Sequence, residues 1–106
     1  MPKFLIKASY TAEGARGIAK EGGTGRRAAV QKLIESMGGK MECFYFGYGD
    51  ADVYVISDLP DATSALALSL AINSTAAVRV STTPLITPEE MDAASKMTVA
   101  YRAPGA

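Results

Sequence analysis

The chain has 106 residues, with 11 Lys/Arg balanced by 11 Asp/Glu; hydrophobic residues make up 48% and charged residues 21%, an ordinary composition for a globular domain. A compact monomer of this size exposes roughly 5,700 Å² of the roughly 16,000 Å² its unfolded chain would expose, enough burial for one core and not for two. The absence of histidine removes the usual base near neutral pH and any Ser–His pair, and a lone cysteine, Cys43, excludes an internal disulfide and a thiolate zinc cluster.

Taken in chain order, KFLIKASY (residues 3–10) alternates: Phe4, Ile6, Ala8 and Tyr10 point one way, Lys3, Leu5, Lys7 and Ser9 the other, the period of a half-buried strand. Thr11 caps a short helix from Ala12 to Lys20, weakened by Gly14 and Gly17. Glu21-Gly22-Gly23-Thr24-Gly25 reads as a flexible break. From Arg26 to Met37, Val30, Leu33, Ile34 and Met37 form one apolar stripe at helical spacing, and Gly38-Gly39 stops that helix.

Lys40 to Tyr48 is an aromatic-rich second strand. Gly49-Asp50-Ala51-Asp52 has turn chemistry, and VYVIS (53–57) forms a third strand, antiparallel to the second. Leu59-Pro60-Asp61 ends it and caps a helix to about Ile72, so apolar all round that most of its circumference should be covered. Ala77 to Thr83 is the fourth strand. Thr87-Pro88-Glu89-Glu90 is a capping box with proline at the first helical position, opening a short helix to about Met97. The reading is one domain over residues 1–97 and a tail over 98–106.

The order β-α-β-β-α-β, with an extra C-terminal helix and tail, is the ferredoxin-like split βαβ of the α+β class. Helices cover one face of such a sheet. On strands two and three both faces read as apolar, so a second cover is expected, and the same sheet from another copy supplies it most simply as a homodimer. Higher assembly stays open. Residues 1–40 hold eight Lys/Arg against three Asp/Glu, and residues 41–106 the reverse. The two halves cancel on packing, and no aromatic-interleaved basic stripe accompanies them, so no nucleic-acid partner is expected. The longest apolar run, Ala65 to Ile72, is too short to span a membrane, and residues near the N-terminus alternate instead of forming a signal-type apolar run; the expectation is a cytoplasmic protein.

Several residue groups suit chemistry, each with a plainer structural account. Asp50 and Asp52 form a carboxylate pair or simply a turn; Asp52, at the mouth of strand three, is the candidate base, with Tyr48 or Tyr54 as acid partner. Tyr10, Tyr45, Tyr48 and Tyr54 with Phe44 and Phe46 line a pocket or fill the core and interface. Arg26 and Arg27 follow glycines at a helix start and suit an anion, or face solvent. Arg79 pairs with Asp52, with a ligand carboxylate, or with water. Cys43, inside an apolar strand, reads as inert. No metal or cofactor is called for.

Four segments resemble the GYD domain family of small bacterial and archaeal proteins: Lys3 to Thr11, Gly49 to Ile56, Leu59-Pro60-Asp61 and Val78 to Thr83. In the family's Gly-x-Tyr-Asp motif, Gly49 and Asp52 match, and Ala51 stands at the tyrosine position. The resemblance implies a dimeric α+β barrel. It leaves the chemistry open, because that fold type serves oxygenases, isomerases and binding modules alike. The leading expectation is a homodimer that binds a small, partly apolar molecule between sheet and helices. The alternatives are a cofactor-independent enzyme of proton transfer or oxygenation, using Asp52 and a tyrosine, and a structural or regulatory module whose sheet and Thr87–Met97 helix bind other copies or a partner protein.

Overall fold

A computed structural model describes residues 1–47 and 49–106. Four strands and four helices follow in the order β1 (Lys3–Tyr10), α1 (Ala12–Glu21), α2 (Gly23–Ser36), β2 (Lys40–Phe46), β3 (Val53–Asp58), α3 (Ala62–Asn73), β4 (Val78–Leu85) and α4 (Pro88–Ser95). The strands form one antiparallel sheet of order β2-β3-β1-β4. β1 and β2 are therefore parallel with β3 between them, and β3 and β4 parallel with β1 between them, which is the ferredoxin-like α+β topology read from the sequence.

The alternation in β1 decides the core. Phe4, Ile6 and Ala8 join Val53 and Val55 of β3, Ile34 of α2, Ala65 and Leu68 of α3, Leu59 and Val78 in one buried cluster. The other face carries Lys3, Leu5, Lys7, Tyr54, Ile56 and Asp58, all half-buried, with Tyr45 exposed. Its β2–β3 half is apolar through Tyr45, Tyr54 and Ile56, with Asp58 at one end. Its β1–β4 half carries Lys7, Ser9, Arg79, Ser81 and Thr83 in register, so the doubled apolar pattern covers half of this face. The lysines are neutralised in place: Lys3 Nζ lies 3.0 Å from Asp58 and 3.4 Å from Glu42, and Lys7 Nζ 2.6 Å from Asp50. Hydrogen bonds from Lys3 to Asp58 and from Lys7 to Asp50 raise both lysines above the ordinary value.

Local signals place the helix ends. Thr11 accepts from the Gly14 amide at 3.3 Å and Asp61 from the Ser64 amide at 2.8 Å. At the end of α2, Gly38 takes a left-handed φ of 81°, with Gly38 N–H donating to Glu35 and Gly39 N–H to Ile34, a Schellman stop. The capping box at Thr87 is complete, with both reciprocal bonds at 3.1 Å.

Three expectations need correction. The break at Glu21–Gly25 contracts to a single residue: Gly22, at φ 87°, ends α1 and starts α2, and Gly23, Thr24 and Gly25 are helical. One left-handed residue reverses the chain, so a five-residue linker is unnecessary. The circumference of α3 is not mostly covered, because Leu66 and Leu70 are 60% and 63% exposed. β2 ends at Phe46 with an irregularity between Met41 and Cys43, whereas β4 continues to Leu85 because Thr83, Pro84 and Leu85 keep register with β1.

The edge of β4 is guarded. Asn73, at the end of α3, donates to the Val80 carbonyl at 3.1 Å and accepts from the Val80 amide at 2.7 Å, as a neighbouring strand would. The segment after β4 contrasts with everything before it: every residue from 86 to 106 is exposed.

Candidate functional site

A hollow opens where β1 ends and β3 begins. Tyr10 closes β1, Asp52 precedes β3, Phe46 ends β2 with Gly47 just after it, and Ala15 and Ile18 look in from α1; together they line a cleft of about 470 Å³. Aromatic and aliphatic carbon forms most of its wall, with the tyrosine and the carboxylate as polar groups.

Asp52 is held by its own backbone on both sides. Its amide donates to the Ala8 carbonyl at 2.8 Å, and its carbonyl accepts from Gly47 N–H at 2.9 Å. Its carboxylate accepts from the Tyr10 amide at 2.9 Å. The side chain thus stands in for the next ladder acceptor between β1 and β3, satisfies a donor that would otherwise lose its partner, and fixes one rotamer at the cleft.

Asp50, two residues earlier, goes elsewhere. It pairs with Lys7, whose ammonium lies 5.8 Å from the Tyr54 ring centroid, on the face away from the helices. The Lys7 hydrogen bond holds the Asp50 carboxyl below the ordinary aspartate value, and its backbone bonding adds to this. The two carboxylates do not converge. Asp50 belongs to a solvated ion pair and Asp52 to the cleft.

The other expected site residues divide in the same way. Tyr10 stands beside Asp52. Tyr54 sits opposite Lys7 and Tyr45, its ring packed on Gly47 so closely that an added Cβ there would lie 2.9 Å from the ring. It does not line the cleft. Tyr48 lies outside the described residues. Arg26 and Arg27 diverge by the ~100° that separates successive helical residues. Arg26 is half-buried in a hollow of about 210 Å³ shared with Glu13, Glu21 and Tyr10, its Nε without a partner among the described residues. Arg27 lines a separate hollow of about 250 Å³ with Gly23, Thr24, Phe44 and Phe46. Arg79 is exposed opposite Ser9 on the sheet face away from the helices, and no ion pair joins it to Asp52 among the described residues. Cys43 is half-buried opposite Ile56.

Ala15, Ile18 and Gly47 line the cleft without having been anticipated. The first two carried a signal, since with Gly14 they form the i, i+1, i+4 inner stripe of α1. Gly14 itself is not a weak helix residue by accident. A Cβ there would overlap the Ala77 carbonyl oxygen, so only glycine lets α1 lie this close to the start of β4. Thr11 completes that crossing, its hydroxyl donating to the Ala76 carbonyl at 2.7 Å and its amide to Ala77 at 3.1 Å. Among the described residues no cluster of three or more carboxylate or cysteine ligands forms a metal site.

No curated protein and no solved structure matches this chain. A family model does match, the GYD domain, over residues 4–95, from the first strand through the last helix. With the split βαβ sheet, the Gly49–Asp52 loop and the strand register now in place, that match covers nearly the whole ordered fold, and the chain belongs to the GYD domain family.

Proposed function

We propose that this protein is a homodimeric binding protein whose Tyr10–Asp52 cleft takes a small, largely apolar molecule bearing a hydrogen-bond donor. The cleft carries the reading. Its volume of about 470 Å³ falls within the ~300–1,000 Å³ of ordinary ligand pockets, and apolar walls with a few fixed polar groups are what such pockets use. Asp52 sets the polarity. A carboxylate repels an anionic headgroup and favours an amine or another strong donor, and the arginines that would suit an anion line different hollows.

The dimer rests on the sheet face away from the helices. Leu5, Ile56 and Tyr54 are only half-buried there and Tyr45 is 67% exposed. Two such faces, stacked, cover each other's aromatic half. The neighbouring lysines already hold carboxylate partners, which leaves Arg79, on the edge strand β4 and without an ion pair among the described residues, as the charge that stacking keeps at the rim. No helix among the described residues is long and apolar enough to cross a membrane, and the reading places the protein in the cytoplasm without a cofactor.

A thermal-shift screen of apolar amines against carboxylates of matched shape tests the ligand class. Amines should raise the melting temperature, matched carboxylates should not, and Asp52→Asn should abolish the rise. Equal responses to both sets, or an undiminished response in Asp52→Asn, overturn the assignment.

A further inference from the structure

The segment after β4 is ordered by local signals yet exposed at every residue. α4 has a complete capping box and buries no residue. Along residues 86–106, Ile86, Met91, Met97, Val99 and Tyr101 are 56–76% exposed. The molecule exposes 7322 Å² in all, against the roughly 5,700 Å² of a compact monomer of its mass, a surplus of about 1,600 Å². Its radius of gyration is 16.9 Å where a compact chain of this length has about 13 Å, and it is 56 Å long.

We propose that this arm docks on a second copy of the chain, against the α2 and β2 side of that copy. The inference rests on the dimer proposed above. Three observations select the partner surface. First, β2 and β4 are the two edge strands and run in opposite directions. A twofold axis parallel to the strands, stacking the two faces away from the helices, sets β4 of one copy antiparallel beside β2 of the other. Leu85 and Lys40 lie at the same end of the sheet, so the arm emerges where the other copy's β2 begins and its α2 has just ended. Second, the charges match. α4 carries Glu89, Glu90 and Asp92 and no cation, whereas residues 23–40 carry Arg26, Arg27, Lys32 and Lys40 against Glu35 alone, none of these cations ion-paired among the described residues. Third, the outer face of α2 is shallow: Ala28 and Ala29, beside Gln31, Lys32 and Glu35, form a groove of about 470 Å³ in which a second helix can approach closely, with Lys32 as its cation and Glu35 as its one anion. The surplus surface suffices, since a stable interface needs about 800 Å² from each partner.

The test uses the full-length chain. In a dimer mixed from isotope-labelled and unlabelled copies, intermolecular NOEs should join the Met91 and Met97 methyls to the Ala28 and Ala29 methyls of the other copy. In sedimentation velocity, Lys32→Glu with Lys40→Glu should raise the dimer dissociation constant at least ten-fold, and adding Glu89→Lys with Asp92→Lys should restore it. A dimer whose constant ignores the charge reversal, or NOEs confined within one chain, overturns the arm docking and leaves the sheet pairing standing. A chain that is monomeric at micromolar concentration overturns both.

Discussion

The two ends of the sheet are built from the same four strands and are finished in opposite ways. At one end Lys3, Asp58, Lys40 and Leu85 sit side by side, and the turns beyond them close over the core. Leu59 is fully buried there, Ile34 and Ser57 nearly or wholly so, and the Leu59 amide donates to the Pro2 carbonyl at 3.0 Å. At the other end Tyr10, Phe46 and Asp52 surround a cleft. The sealed end is closed by side-chain volume, whereas the open end is closed by hydrogen bonds that one residue, Asp52, makes through its backbone and its carboxylate. Function has room where polar bonding, and not packing, finishes the sheet.

The largest effect expected from breaking this contrast lies at the sealed end. Leu59→Ala removes a fully buried side chain from a site framed by two chain reversals that cannot collapse, and should cost about 3 kcal/mol in urea denaturation. The glycines then compare the ends directly. A Cβ on Gly39 runs into the Asp58 carbonyl, which is fixed in the strand, with Leu59 and Ile34 also in the way. A Cβ on Gly47 meets only the edge of the Tyr54 ring at 2.9 Å, and a ring can turn. Gly39→Ala should cost about 2 kcal/mol and Gly47→Ala less than half of that, measured under the same conditions. Equal costs would mean that the open end is as tightly packed as the sealed one, and the contrast would fail.

The sealed end was largely legible in the sequence. Gly38-Gly39 after an apolar helical stripe, and Leu59-Pro60-Asp61 before one, are local signals whose physics is complete within a few residues. The same holds for Thr87-Pro88-Glu89-Glu90. The open end depended on partners far apart in the chain. That Asp52 accepts from Tyr10, 42 residues earlier, follows from the β1–β3 register and from nothing near Asp52. The demand for glycine at position 14 is set by a carbonyl at residue 77. The spread of Arg26 and Arg27 into separate hollows was readable, since neighbours on a helix cannot share a face. A linker assigned to the five residues Glu21–Gly25 hid the true start of α2 at Gly23.

At the open end the expected effect is smaller and of another kind. Asp52→Ala leaves the Tyr10 amide without its acceptor at a half-buried position and should cost about 1.5 kcal/mol. Asp52→Asn, which keeps an acceptor oxygen, should recover most of that stability while still losing the amine response. Denaturation curves and thermal shifts on the two variants separate the structural duty of this side chain from the electrostatic one. If Asn and Ala are equally destabilised, the carboxylate charge itself is what holds Tyr10.

Asp50 sharpens the comparison from the weak side. Two residues from Asp52, it makes the shortest ion pair described, 2.6 Å to Lys7, yet its side chain is 77% exposed. In a lone copy water screens such a pair and the two side chains must be immobilised to form it, so Asp50→Asn should leave the denaturation midpoint of the dilute protein at pH 7 unchanged within error. What little it contributes is present while both groups are charged and vanishes where either charge is lost. The Lys7 hydrogen bond lowers the Asp50 carboxyl and the Ser64 amide lowers that of Asp61, so both favour the folded state above the ordinary aspartate range and stop doing so as the pH falls through their lowered values. Lys7, raised by the same pair, favours folding up to the ordinary lysine range and loses this as the pH climbs through its raised value. Any gap between wild type and Asp50→Asn should therefore stay within error between about pH 5 and 9 and should close altogether below about pH 4 and above about pH 10. A variant already weaker at pH 7 would mean that the face carrying Lys7 and Asp50 is shielded from water, as a second copy stacked on it would shield it, and the same measurement repeated on dilution would then show the difference shrinking as the copies part.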